Sequence, residues 1–295
     1  MKTIPQAMEL RNLILQNFEK ALLTKEIEDQ QGLMDFVVVG GGPTGIETAG
    51  ALGELKKHVL PRDYPELHID KMQIHIIEKR DRLMNTMSQA ASEKTAEFLK
   101  RFDVNIWLNT SISSYDGKTL ILSNGKKIIS YAVIWTAGVK GALIPGIKED
   151  VILHESRYRV DGFNRIEGYE NIFAIGDAAA MITKERPNGH PMLAPVAVQQ
   201  GEHMARNLVN LIHQRKLIPF AYCDLGMMST VGRNRALVDL KFLKFQGILA
   251  WFIWMFLHLM LLVGFRNRLV VFVNWAWNYF SYDRGIRLIL RFFPK

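Results

Sequence analysis

Cysteine is almost missing from this sequence, and so are several other marks of common functional classes. Cys223 is the one cysteine in 295 residues, which excludes an intrachain disulfide, a CxxC redox pair and a cysteine metal site and is typical of a reducing compartment. The histidines have no metal-ligand spacing, so no metal site is predicted. No GxxxxGK[ST] phosphate loop occurs, no Ser/His/Asp set stands out, and the first residues lack the apolar core of a signal peptide.

Net charge is absent from most of the chain and concentrated at its end. The 37 lysines and arginines exceed the 29 acidic residues by eight, and the whole excess falls between Arg233 and Lys295. That segment has ten basic and two acidic residues and is rich in tryptophan, phenylalanine and leucine. A basic, apolar segment favours an anionic membrane surface as its partner, and its aromatic density argues against nucleic acid.

The apolar runs in this segment are short. Ile248–Phe265 has no Lys, Arg, Asp or Glu over eighteen residues, somewhat fewer than the roughly 20 that a transmembrane helix needs. Leu269–Phe280 has only twelve residues and cannot span, and Arg284, Arg287 and Arg291 follow at helical spacing. We predict helices that lie in the membrane interface. The alternatives are a single span and a helix packed in a core or in the interface of a homodimer.

The most informative stretch joins a strand to a helix through glycines. Phe36–Val39 runs into Gly-x-Gly-x-x-Gly at Gly40, Gly42 and Gly45, and an alanine-rich helical pattern follows. This is the context that the dinucleotide fingerprint requires. The first glycine permits the turn, the second lets a pyrophosphate approach, and the third lets the helix pack closely. The helix N-terminus offers N–H groups to the phosphates. The alternative is a glycine-rich turn in another α/β protein.

An acidic residue continues the fingerprint. The strand Ile74–Ile77 is followed by Glu78, which can accept hydrogen bonds from an adenosine ribose and so favours NAD over NADP. The spacing from Gly40 is longer than the usual ~20 residues, and we interpret the stretch from residue 58 to 71 as an insertion. Lys79 and Arg80 would tolerate a 2′-phosphate, so the cofactor preference stays open.

The remaining patterns predict an α/β fold. Residues 4–23, 89–102 and 195–211 have helical spacing, the polar stretch 24–31 resembles a linker, and strand–helix–strand order indicates a parallel sheet. Asp-Gly at 116–117 and Asn-Gly at 124–125 predict tight turns between short strands.

Two strand ends carry candidate ligand contacts. The strand 131–136 ends in Ala137 and Gly138, small residues that let a ligand lie close to the backbone. The apolar stretch Ile172–Ile175 predicts a buried strand that runs into Gly176 and Asp177. Asp177 either meets a ligand hydroxyl or caps a turn.

Five motifs and the aromatic tail together resemble the type II, non-proton-pumping NADH dehydrogenases, which are membrane-surface flavoproteins. The motifs occur in order as GGGPTGIE (40–47), IIEKRDRLM (76–84), VIWTAGVKG (133–141), IFAIGDAA (172–179) and VAVQQG (196–201). The resemblance implies transfer of a hydride from NADH to FAD and of electrons to a membrane quinone, on the cytoplasmic face of the inner (plasma) membrane.

The resemblance also implies roles for individual residues. It assigns NADH to Gly40, Gly42, Gly45 and Glu78, and it places Glu47 near the nicotinamide. It sets Ala137 and Gly138 at the border of the NADH and flavin sites. Gly176 and Asp177 would bind the ribityl–phosphate part of FAD, and Gln199 would lie near the flavin ring and the quinone.

Two departures from the family stand out. Pro195 replaces a glutamine that is proposed to contact quinone, and no strand–GxGxxG–helix for FAD precedes Phe36. If this chain were the whole polypeptide, FAD binding should be weak or absent, which leaves a nucleotide-binding, membrane-associated remnant as an alternative. Another flavoprotein reductase of the same architecture is a further alternative, although one cysteine argues against sulfide:quinone and disulfide reductases.

The implied fold is an α/β flavoprotein with two dinucleotide-binding domains built on Rossmann-like parallel sheets, followed by amphipathic membrane-binding helices. Residues 1–31 would be a helix and linker from the FAD domain, and 32–141 the NADH-binding domain. Residues 142–232 would form the remainder of the FAD domain, and 233–295 the membrane-anchoring segment.

Overall fold

The computed structural model describes residues 3–281 and divides into two compact units. Of the described residues, 3–137 and 226–281 form the first unit, and Gly138–Leu225 form the second. Residues 1–31, expected to belong with the FAD-binding part, group with the first unit. The reason is that Phe18 and Ala21 are fully buried in its core.

Two helices open the first unit. Helix α1 (Ile4–Leu23) begins after Thr3, whose side chain accepts from the Gln6 N–H. The expected linker at 24–31 is wrong, because Ile27–Met34 forms a second helix, α2. Leu33 and Met34 are buried there and anchor the helix. The stretch 24–31 resembles a linker because these two apolar residues lie beyond it.

A four-stranded parallel sheet forms the centre of this unit. Its first elements are β1 (Phe36–Val39), α3 (Pro43–His58), the short α4 (Leu60–Asp63), β2 (Ile74–Ile77), α5 (Gln89–Lys100) and β3 (Val104–Trp107). The predicted insertion between α3 and β2 contains α4 and a 3₁₀ turn, and its Leu60, Leu67 and Ile69 are buried. The insertion is therefore part of the core.

An antiparallel meander connects β3 to the last strand of the sheet. It consists of β4 (Ile112–Tyr115), β5 (Thr119–Leu122) and β6 (Lys127–Ile129), and β7 (Ala132–Trp135) follows. The Asp116 carboxylate accepts from the N–H groups of Lys118 and Thr119 at 2.8 and 2.6 Å, which closes the first predicted turn. Strand β7 pairs with β1, and the sheet order is β3-β2-β1-β7, all parallel.

The second unit has a smaller sheet and one long helix. Its elements are β8 (Ile152–Leu153), β9 (Arg157–Val160), β10 (Ala179–Met181) and α6 (Ala194–Ile212). Apolar side chains from β9, β10 and the intervening turns, among them Tyr158, Val160, Ile166 and Met181, form its core.

The expected buried strand at 172–175 is wrong. This stretch makes one isolated bridge, Arg165 to Phe173, and Ile175 is 41% exposed. The N–H of Ala174 donates to the carbonyl of Asn164 at 2.9 Å, a hydrogen bond of the loop and not of a strand pair. The strand begins after Asp177, at Ala179.

The chain returns to the first unit in a sheet that the sequence did not predict. It contains β11 (Met227–Thr230), β12 (Ala236–Asp239) and β13 (Lys244–Gly247), all antiparallel, and leads into α7 (Ile248–Leu261) and α8 (Phe265–Ser281). The expected boundary between residues 232 and 233 falls inside this sheet. Helix α3 packs closely on it, since a Cβ on Gly50 would lie 2.6 Å from the Gly232 nitrogen.

Candidate functional site

The turn between β1 and α3 is held by the neighbouring strands. Gly40 has φ +109°, which favours glycine, and its N–H donates to the Ile77 carbonyl at 2.8 Å. A Cβ on Gly40 would lie 3.0 Å from the Cα of Ala137, two residues beyond the end of β7. The structure thus brings Gly40 and Ala137 together at the carboxyl edge of the sheet, where ligands of open α/β sheets bind.

The other two glycines have opposite surroundings. A Cβ on Gly45 would collide with the carbonyl oxygen of Gly40 and lie 2.9 Å from Thr136 Oγ1. A Cβ on Gly42 would meet nothing within 4 Å. Gly42 is the N-cap of α3, and no side chain caps this helix. The helix N-terminus therefore faces open space, which suits an anionic group.

Glu78 is bonded directly to the glycine turn. Its Oε2 accepts from the Gly41 N–H at 2.7 Å, and its Oε1 accepts from the Arg80 N–H at 2.9 Å. Each carboxylate oxygen keeps a second lone pair for a ligand hydroxyl. Lys79 and Arg80 are both exposed. Glu78 is therefore fixed next to the glycine turn, close to the open space at Gly42.

Glu47 lies one turn into α3 and meets β11. Its Oε1 accepts from the Thr230 N–H at 3.3 Å and from Ser229 Oγ at 3.4 Å. Burial raises the pKa of this carboxyl above the ordinary glutamate value, and these two hydrogen bonds oppose the rise. A half-buried carboxyl with a raised pKa can hold a proton nearer to neutral pH than an exposed one.

In the second unit, Gly176 and Asp177 form a tight 3₁₀ turn. Gly176 has φ +64°, and its N–H donates to Gln200 Oε1 at 2.7 Å. The Asp177 side chain is exposed. Gly138, the first residue of this unit, has φ +76°, and a Cβ there would meet nothing within 4 Å.

Two buried side chains that the sequence did not single out support this turn. Gln200 is fully buried and accepts from Gly176; its place beside Gln199 was the available signal. Arg157 is 4% exposed, and its guanidinium donates to the carbonyls of Ala179, Asn188 and His190. No sequence signal marked Arg157, because its partners are main-chain atoms of distant residues.

Gln199 is bonded to a different element. Its Nε2 donates to the Cys223 carbonyl and its Oε1 accepts from the Cys223 N–H, both at 2.9 Å. These two bonds fix the side-chain amide against residues 222–224. Its expected place beside a flavin ring and a quinone stays a prediction.

The C-terminal helices expose much apolar surface. The large side chains of α7 and α8 that are at least half exposed are Ile248, Leu249, Phe252, Phe256, Leu261, Phe265, Leu269, Val270, Phe272, Val273, Trp277 and Phe280. Ile248–Phe265 is not one helix, since α7 ends at Leu261. Across residues 3–281 the structure forms no helix with the length and apolarity needed to cross a membrane. The arginines at 284, 287 and 291 lie outside the described residues.

No cluster of metal ligands accompanies these sites. Within residues 3–281, the structure has no group of three or more His, Cys, Asp or Glu side chains that could hold a metal ion.

Comparison with protein families gives two matches. Residues 3–201 match the family described as pyridine nucleotide-disulphide oxidoreductase, and residues 225–281 match the NDH2 C-terminal domain. The two matches cover the glycine turn, the Gly176–Asp177 turn and the exposed helices.

Individual relatives agree with these families. The type II NADH:quinone oxidoreductase Ndh of Mycobacterium tuberculosis is 31% identical over 97% of this chain and 63% of its own length. NdhA of the same organism is 29% identical over 97% of this chain and 62% of its own length. The chain therefore spans about three fifths of the length of these two relatives. The structure of NDH2 from Plasmodium falciparum in complex with NADH has a TM-score of 0.86 at 19% identity, covering 98% of this chain and 74% of that one. This similarity shows a common fold.

Proposed function

The chain belongs to the pyridine nucleotide-disulphide oxidoreductase family, with the C-terminal domain of the type II NADH dehydrogenases, and from this premise we propose that it serves FAD-dependent NADH:quinone oxidoreduction. With FAD bound, this activity would take a hydride from NADH and deliver electrons to a membrane quinone, without proton pumping. The observation that carries the proposal is the turn that is open at Gly42 and bonded to Glu78.

The first unit supplies the NADH part of this function. The pyrophosphate would lie against Gly42 and the uncapped N-terminus of α3, and the adenosine ribose would bond to Glu78. Glu47 would lie near the nicotinamide, where its carboxyl of raised pKa can hold or release a proton. The exposed Lys79 and Arg80 leave room for NADPH as a weaker substrate.

The second unit has residues that fit part of FAD. Asp177 offers an exposed carboxylate beside Gly176, and Gly138 leaves open space where a side chain would project. These groups suit the hydroxyls of a ribityl chain. When bound, the flavin supplies the hydride acceptor. Gln200 and Arg157 hold the 176–179 turn, and Gln199 is assigned to the surroundings of the flavin ring and the quinone.

The exposed helices bring the chain to its second substrate. Their apolar side chains and the arginines at 266 and 268 suit a bilayer surface with anionic headgroups. A quinone dissolved in the bilayer is then within reach of a protein that lies on the cytoplasmic face of the inner (plasma) membrane. A homodimer would present the helices of two copies to the same surface.

A second candidate function has its own observation. The residues assigned above to FAD, Gly138, Gly176 and Asp177, suit its ribityl hydroxyls, and the one GxGxxG in this sequence, at Gly40–Gly45, is assigned to NADH. The second candidate is a nucleotide-binding, membrane-associated protein that holds no FAD.

The visible absorption spectrum of the purified chain, taken before and after NADH is added, distinguishes the two. A flavin spectrum that NADH bleaches, followed by quinone reduction, supports the oxidoreductase. A colourless chain that takes up no added FAD supports the second candidate. Two variants serve as internal controls: Asp177→Ala should weaken flavin retention and spare NADH binding, and Glu78→Ala should do the reverse.

A further inference from the structure

The turn between β12 and β13 presents an exposed aromatic side chain. We call residues Leu240–Leu243 the hairpin tip. Phe242 is 91% exposed, more than any other large apolar side chain in residues 3–281, and Leu243 is 55% exposed. Leaving two adjacent apolar side chains in water is unfavourable. Their exposure therefore indicates a partner surface.

The hairpin tip is held in place. The N–H of Leu240 donates to the carbonyl of Leu243 at 3.0 Å, which closes the turn. Asp239, just before the tip, accepts from the Ser88 N–H at 2.5 Å and pairs with Lys244 Nζ at 3.1 Å. These bonds attach the base of the hairpin to the start of α5. The turn and the base of the hairpin are therefore fixed, with Phe242 exposed.

The charges around the tip favour an anionic surface. Lys241 Nζ lies 5.3 Å from the centre of the Phe242 ring. Lys244 lies two residues after Phe242. Asp239 is the only acidic residue between Arg233 and Ser281, and Lys244 and Ser88 already bond to it. An exposed aromatic ring beside lysines is typical of segments that enter the headgroup region of a membrane.

The tip is continuous with the exposed helices. Strand β13 runs directly into α7 through Gly247, which has φ +93°. Ala250 of α7 is buried against Val238 of β12, and Trp251 and Trp254 pack on the same cluster. The hairpin and α7 are therefore parts of one packed body, and α7 carries the apolar side chains assigned above to the bilayer.

We propose that the hairpin tip is a second membrane contact, which places Phe242 and Leu243 in the headgroup boundary of an anionic bilayer while Lys241 pairs with its phosphates. The proposal rests on the membrane association given under Proposed function, and it assigns part of that association to a loop outside the helices.

Vesicle co-sedimentation of the full chain tests the proposal. The probes are neutral phosphatidylcholine vesicles and vesicles with about a third phosphatidylglycerol. We expect Phe242→Ser to weaken binding to both by roughly tenfold. Lys241→Gln should weaken binding to anionic vesicles by roughly fivefold and leave neutral vesicles unchanged. The matched control is Leu23→Ser, because Leu23 is 85% exposed at the end of α1, a helix whose main packing partner is α2; it should bind as the parent does.

A second measurement reports the position of residue 242 itself. A polarity-sensitive dye is attached to Phe242→Cys in a Cys223→Ser background, which removes the exposed native thiol. A blue shift with vesicles, and quenching by spin-labelled lipid, support insertion.

The outcomes separate this proposal from the proposed function. If the parent chain does not bind vesicles, membrane association fails and the tip contact fails with it. If the parent binds but Phe242→Ser binds equally and the dye stays in water, the tip contact alone is overturned. If Phe242→Ser changes the oligomeric state of the chain in the absence of vesicles and leaves membrane binding unaffected, the tip contacts a second copy of the chain. That result would also overturn the proposed membrane contact.

Discussion

Gly42 offers a substitution that should separate nucleotide binding from stability. Its backbone has φ −82° and ψ −177°, an extended conformation that alanine adopts without strain, and the added methyl meets no atom within 4 Å. The Gly42→Ala protein should therefore stay within about 0.5 kcal/mol of the parent in stability, because the smaller freedom of its unfolded chain and the poorer N-capping by alanine offset each other. The methyl would occupy the space that a pyrophosphate needs. We expect NADH binding to weaken at least tenfold, about 1.4 kcal/mol.

Gly45→Ala is the matched contrast, three residues away in the same turn. Here the methyl collides with the Gly40 carbonyl and crowds Thr136 Oγ1 at 2.9 Å. Overpacking of this kind costs about 2 kcal/mol, which corresponds to a fall in the unfolding temperature of roughly 6 °C for a unit of this size. Gly45→Ala should lose stability and Gly42→Ala should not, although both change the same motif.

Two assays decide the comparison. Thermal unfolding followed by circular dichroism measures stability without ligand, and titration of nicotinamide fluorescence measures NADH affinity. The reasoning is refuted if Gly42→Ala binds NADH as tightly as the parent, because the open space would then not be the pyrophosphate site. It is also refuted if Gly42→Ala lowers the unfolding temperature as much as Gly45→Ala does.

Three further predictions follow from buried or bonded side chains. Glu78→Gln keeps one acceptor oxygen for the two N–H groups of Gly41 and Arg80. The preference for NADH over NADPH should therefore fall roughly tenfold, as measured by paired titrations. The control is Glu66→Gln, because Glu66 is exposed. Arg157→Met removes the guanidinium that donates to the carbonyls of Ala179 and His190, and should lower the unfolding free energy of the second unit by about 3 kcal/mol in hydrogen exchange. An unchanged exchange rate at β10 would contradict this. Burial raises the pKa of Asp35 to about 6, so its contribution to folding stability should fall as pH rises from about 4 to 6. Burial lowers the pKa of His75 to about 4, so the contribution of the neutral histidine should grow as pH rises from about 4 to 6.5. Asp35→Asn should therefore unmask a stability that rises with pH over that range, measured by denaturation at each pH, and a flat or falling profile would contradict it.

The local elements of the first unit were predictable because their signals are local. Phe36–Val39 is apolar throughout and lies next to glycines, and the strand, turn and helix form at those residues. Asp116-Gly117 and Asn124-Gly125 set the meander, because each turn needs a residue with positive φ. Helix α6 was predictable from its spacing and from Pro195 in its first turn.

Elements that depend on distant partners were not predictable. Half of the residues of helix α2 are polar, and the helix is fixed by Leu33 and Met34 in a core that distant residues build. Strand β12 was hidden in a segment read as membrane-anchoring, yet its Leu237 is fully buried in the same core. Gln200 and Arg157 are visible as supports of the Gly176 turn only when residues 20 or more positions apart meet.

Glu78 shows why spacing alone is a weak guide at such a site. The insertion lengthens the connection between α3 and β2, so the acidic residue arrives later than the fingerprint expects. Parallel pairing matches Val39 with Ile77, and the next residue of each strand therefore lies at the same edge of the sheet. Extra residues that fold against the core, such as Leu60 and Ile69, leave that register unchanged. The position of the carboxylate follows from the register of β1 and β2, and any insertion that keeps this register keeps the bond between Glu78 and the Gly41 N–H.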